Sequence, residues 1–115
     1  PQWIIQRVVG LVVERLLGGK QEIACSLETI SSLITDCQLQ RIDLLKVDVE
    51  RAELDVLQGV ESQHWPLIRQ VAMEAHENDL EAIKSLLYSV GMSVTIVQDP
   101  HLKNSKLFNL YAIRE

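Results

Sequence analysis

Five charged residues, Lys46, Asp48, Glu50, Arg51 and Glu53, crowd the end of an otherwise apolar stretch, IDLLKVDVERAE. Charge is unusual where a strand should be buried on both faces, because an unpaired buried ion is costly. Glu74 and His76 repeat the two-residue spacing at the end of a second apolar stretch. Strand alternation puts Lys46, Asp48 and Glu50 on one side. Open α/β sheets hold ligands beyond the carboxyl ends of their strands. Two adjacent parallel strands would therefore bring Asp48, Glu50, Glu74 and His76 into one crevice. Carboxylates beside an imidazole do acid–base work, since neighbouring charge and partial burial move their pKa values toward neutrality. Asp48, Glu74 and His76 are also candidate ligands of a hard divalent cation, with His the weaker match.

Each residue has a plainer reading. Lys46 with Asp48 or Glu50 makes an ion pair. Glu50, Glu53 and Asp55 are acids favoured by the dipole of a following helix. His76 is a loop histidine, and His64 and His101 are solvated turn residues. Clustering at two neighbouring strand ends is what favours a site over these readings taken one by one.

Those two strands need scaffolding. Apolar residues at Ile5, Val8, Val9, Val12 and Leu16 predict a helix over 3–17, although its β-branched residues weaken it; Gly18-Gly19 follows as a stop. A short strand is expected over 21–26. A helix follows, with Leu27, Ile30, Leu33 and Ile34 on one face, Ser26 or Thr29 as cap, and an end near 36–39. The strand over 42–49 is nearly continuous in Ile, Leu and Val, as in parallel sheets covered on both faces. A helix over 52–57 ends at Gly59, and a turn over 63–66 leads to a strand over 68–74. Asn78 or Asp79 caps a helix over 80–90, closed by Gly91. Strands over 92–97 and 107–114 are joined without a helix, so they should be antiparallel neighbours. In the latter, Phe108, Leu110 and Ala112 share one side, and Leu107, Asn109, Tyr111 and Ile113 the other. The alternation argues an α/β, mostly parallel, doubly wound sheet.

At 115 residues and 47% apolar, the chain makes one domain with a real core. A net charge of −5 and no basic tract argue against nucleic acid. No apolar run is long enough to span a bilayer, and Arg7, Glu14 and Arg15 interrupt the apolar stretch over 3–17, so it is not expected to be a signal peptide. Cys25 and Cys37 do not form a CxxC pair, and reduced thiols of a cytoplasmic protein are expected.

IDLLKVDVERAELDVLQGV, then IRQVAMEAH and LYAIR, resemble the C-terminal half of the FkbM-type S-adenosylmethionine-dependent methyltransferases. The form in or beside cyanobacterial nonribosomal peptide and polyketide synthetases is the most similar. CSLETISSLI fits a Cys-containing strand and helix start of that family. The resemblance runs from Glu22 to Arg114 and rests on Lys46, Asp48, Glu50 and Glu53 together with Glu74 and His76. Many family members carry Gly where Arg51 stands. The family's glycine-rich loop and ribose-binding acid have no match, and the chain starts at Pro1 rather than Met.

The resemblance implies a Rossmann-like class I methyltransferase sheet, present as its C-terminal half with a terminal antiparallel hairpin: one partial domain over 1–115. It implies O-methylation of a natural-product or sugar-like hydroxyl, with S-adenosylmethionine as cofactor. Asp48 or His76 would be the base, Glu50 and Glu74 would orient the acceptor or a divalent metal, and Lys46 would balance charge. The expected partners are a small-molecule acceptor and either a synthetase assembly or the missing N-terminal half. The strand over 42–49 is then an open edge through which copies could associate. The competing functions are a non-catalytic α/β interaction module and a metal-dependent hydrolase.

Overall fold

A computed structural model describes residues 22–115; the helix expected over 3–17 and its glycine stop lie outside the described residues. The first regular element is α1, Ile30–Asp36. Of the two caps the sequence offers, the structure uses Thr29, whose Oγ1 accepts the Ser32 N–H at 3.0 Å. The helix closes where the Leu39 N–H reaches back to the Ile34 carbonyl at 3.0 Å, with Gln38 left-handed at φ 52°. Residues 22–29 hold no regular structure. The strand expected over 21–26, Cys25 included, is therefore corrected in its described part. Ile23 and Leu27, 51% and 95% exposed, bury too little to hold one.

β1 is Leu45–Val47, shorter than the expected 42–49. Among the described residues it is hydrogen-bonded to a strand on one side only, and an isolated bridge from Ile42 to Ile68 precedes it. α2, Glu53–Gln58, starts after Ala52 and ends at Gly59 as expected. A 3-10 turn, Trp65–Leu67, leads into β2, Gln70–His76. α3 is Glu77–Ser89, β3 is Ser93–Val97 and β4 is Leu107–Ile113.

The sheet order is β1-β2-β4-β3. β1 and β2 are parallel, with Lys46 opposite Ala72. β4 pairs antiparallel with both β2 and β3. The mixed α/β fold and the antiparallel β3–β4 pair agree with the sequence, but a mostly parallel sheet does not: β4 returns without a helix and inserts between β2 and β3, which makes two pairings antiparallel. Leu110 and Ala112 of β4 are buried because they lie on the face of the sheet that the helices cover.

One face of the sheet carries Leu45, Val47, Val71, Met73, Ala75, Leu110 and Ala112 into a core with Ile30 and Ile34 of α1, Leu57 of α2, and Ile83 and Leu87 of α3. Each large side chain buried there contributes about 1.5–3 kcal/mol. The opposite face carries Lys46, Ala72, Glu74, Asn109 and Tyr111. It stays open among the described residues: Tyr111, Ile113 and Val97 are each about half exposed. Arg114 locks the end of the chain, donating to the carbonyls of Ile68, Val90 and Trp65 at 3.2, 2.7 and 3.1 Å. Among the described residues no helix is long and apolar enough to cross a membrane.

Candidate functional site

β1 ends one residue before Asp48, and β2 pairs beside it in parallel, so both strands point their carboxyl ends the same way. On the open face their side chains meet those of β4. Lys46, Asp48, Ala72, Glu74, Asn109 and Tyr111, with Val47 and Met73, line an open groove of about 370 Å³. The register makes this arrangement: Glu74 is opposite Asn109, and Ala72 is opposite Tyr111. Small Ala72, between Lys46 and Tyr111, leaves the space.

The groove brings together Lys46, Asp48 and Glu74. Among the described residues none of the three makes an ion pair within 4 Å; the pairs are Arg41–Asp43, Arg51–Asp79, His64–Glu61 and Lys106–Glu77. The ion-pair reading of Lys46 is thus not what the structure shows. Two acids and one cation share a solvent-open pocket with a carboxamide and a phenol. That set accepts, donates and balances charge around a polar, hydroxyl-bearing small molecule.

Glu50 and His76 are not in this groove, although strand alternation placed them in one crevice with Asp48 and Glu74. Alternation stops with β1 at Val47. Glu50 and Arg51 then turn the chain with φ of 46° and 77°, the left-handed region. That conformation costs roughly 1–2 kcal/mol for a residue with a Cβ. Glu50 is exposed at this turn. His76, last in β2, is the cap of α3 in place of the expected Asn78 or Asp79: its Nδ1 accepts the Asn78 N–H at 3.2 Å. A neutral imidazole that accepts at Nδ1 carries its proton on Nε2, so it offers a donor there.

Glu53 and Asp55 do occupy the first turn of α2. Glu53 is also buried, 4% exposed. Its Oε1 accepts the Arg51 N–H at 3.2 Å, and its Oε2 is buried without a partner among the described residues. His64 is not the solvated turn residue expected: its side chain is 15% exposed, and its Nδ1 lies 2.7 Å from the Oγ of buried Ser31. Ser31 Oγ also accepts the Glu61 N–H at 2.7 Å. Asn109 and Tyr111 are the groove residues that sequence reasoning missed. Their shared side of β4 was readable from alternation; their place beside Glu74 and Ala72 depends on inter-strand register. Among the described residues no three His, Cys, Asp or Glu side chains lie together as a metal site needs.

Fold and groove define an α/β sheet domain with polar groups at the carboxyl ends of its parallel strands. The family profile described as the Methyltransferase FkbM domain matches residues 14–99. The chain belongs to the FkbM methyltransferase family. It is 36% identical over 108 residues to the 31-O-demethyl-FK506 methyltransferase FkbM of Streptomyces tacrolimicus, covering 92% of this chain and 42% of that protein. It is 37% identical over 97 residues to the AMB antimetabolite synthetase AmbE of Pseudomonas aeruginosa, covering 78% of this chain and 5% of that protein. It is 40% identical over 88 residues to Methyltransferase sdnD of Sordaria araneosa, covering 68% and 34%. The chain thus spans less than half the length of these relatives. No solved structure matches it significantly.

The family generally implies S-adenosylmethionine. A cradle for its methionine carboxylate needs backbone brought close after a strand, the usual place of a glycine-rich loop. The glycines among the described residues, Gly59 and Gly91, follow helices instead. The described residues do not fit the cofactor.

Proposed function

We propose that this chain is the acceptor-side part of an S-adenosylmethionine-dependent O-methyltransferase. The observation that carries this reading is the groove that Lys46, Asp48, Glu74, Asn109 and Tyr111 form on a chain of the FkbM family. Methyl transfer to a hydroxyl needs an oriented acceptor and a base for its proton. Asp48 takes that proton. Glu74 and Asn109 orient the acceptor by accepting from and donating to its other hydroxyls, and Lys46 offsets the two carboxylates. His76, whose Nδ1 is engaged as a helix cap, keeps Nε2 as its free donor. Glu50, in its exposed turn, lies outside the groove.

The acceptor class is a natural-product or sugar-like hydroxyl, supported by the polar lining and by the oxygen named in the Streptomyces tacrolimicus relative. The match to part of the antimetabolite synthetase AmbE supports a place in or beside a synthetase. The cofactor half is proposed to come from another part of the polypeptide, packed on the open sheet face and the β1 edge; the fraction of each relative covered supports this. Cys25 and Cys37, both free and exposed, suit the cytoplasm. The open face also suits a second reading, an interaction module without catalysis.

Calorimetric titration separates the two. The 115-residue chain alone should give no heat of binding with S-adenosylmethionine, and the polypeptide that carries it together with its cofactor half should bind. Tight binding by the chain alone contradicts the placement of the cofactor. Absence of binding by the whole polypeptide favours the interaction module.

A further inference from the structure

Glu53 is the buried carboxylate of the described chain, and the groove chemistry does not use it. Among the described residues it holds one hydrogen bond for two oxygens: Oε1 takes the Arg51 N–H, and Oε2 is buried with no partner. An apolar side chain of the same size would fill that place without the desolvation cost. Burial of the charge is therefore poorly repaid by folding alone.

The group it holds is the strained one. Glu50 and Arg51 are both left-handed, and neither is glycine. The other tie on this turn is the Arg51–Asp79 contact at 3.9 Å, with the Arg51 side chain 60% exposed, and exposed pairs hold little. The turn begins two residues after Asp48, so it sets the path by which the chain leaves β1 and hence the aim of Asp48.

We propose that Glu53 is a positioning residue of the methyl-transfer site, holding the Glu50–Arg51 turn and through it the end of β1; the proposal rests on the function proposed above. The test uses the full polypeptide and three variants, Glu53→Met, Glu53→Gln, and Glu53→Met combined with Arg51→Gly. Met fills the volume without an acceptor, and Gln keeps the acceptor. The Arg51 amide should exchange with solvent about tenfold faster or more in Glu53→Met, and near the parent rate in Glu53→Gln. kcat should fall about 10- to 100-fold in Glu53→Met, the scale of a small misplacement, with KM for S-adenosylmethionine within about twofold. Glu53→Gln should restore kcat. Arg51→Gly in the Met background should restore it too, because glycine holds a left-handed turn unaided. Unchanged Arg51 exchange in Glu53→Met, or equal loss of kcat in Met, Gln and double variants, overturns the proposal. If the parent transfers no methyl group, the proposed function fails, and the exchange rates alone decide whether Glu53 holds the turn.

Discussion

His76 and Asn109 show what single side chains decide here. If His76 serves as cap and donor, Asn, a strong capping residue, should replace it at modest cost. His76→Asn should keep kcat within about tenfold, whereas loss of a true general base costs about 10²–10⁴-fold; the pair of steady-state rates decides. Asn109→Ala removes an orienting group opposite Glu74 and should lower kcat/KM by about tenfold, as loss of one neutral hydrogen bond does. At this scale the sequence revealed residue types better than roles. Lys46 and Glu74 were legible as a cluster because both lie within paired strands, and Asp48 follows β1 directly. Glu50 was not, because two consecutive left-handed residues end the alternation, and no motif of non-glycine residues announces that turn. His76 was misjudged because its ring caps a helix that starts immediately after it.

Among the elements, α1 and the α2–β2 connection are joined by Ser31. Ser31→Ala would strand the Glu61 N–H and the His64 ring nitrogen. It should cost about 1–2 kcal/mol in denaturant unfolding, the penalty of leaving part-buried polar groups unpaired. Gly91 is left-handed at φ 85°, and a Cβ there would sit 2.9 Å from Arg114 Nη1. Gly91→Ala should therefore cost more than a loop substitution, about 1–3 kcal/mol, with part of the loss expressed as displacement of Arg114. Helices α2 and α3 were readable from the glycines that follow them and from apolar period because those are local signals. The shortness of β1 was not, since the run from Ile42 continues but β2 begins to pair with it only at Leu45. The Ser31–His64 contact spans 33 positions, beyond any periodicity. The position of β4 between β2 and β3 also comes from packing.

At the scale of the whole molecule, the sheet face that stays open among the described residues is the main fact. Its core side is filled by three helices, and its other side exposes Val97, Tyr111 and Ile113 around the groove. If the cofactor half packs there, Ile113→Lys should leave the unfolding midpoint of this chain alone nearly unchanged, within about 0.5 kcal/mol, as for an exposed site. The same change should destabilise the full polypeptide by about 1–3 kcal/mol, the cost of charging a buried apolar contact. Equal effects in both would place the cofactor half elsewhere. The direct measurement on function is single-turnover methyl transfer from labelled S-adenosylmethionine by the full polypeptide, parent against Asp48→Asn. Asn keeps the size and the hydrogen-bonding reach and removes the base. A fall of about 10²-fold or more with the acceptor still bound is expected; parent-like transfer by Asp48→Asn would contradict Asp48 as the base, and with it the groove as the acceptor site.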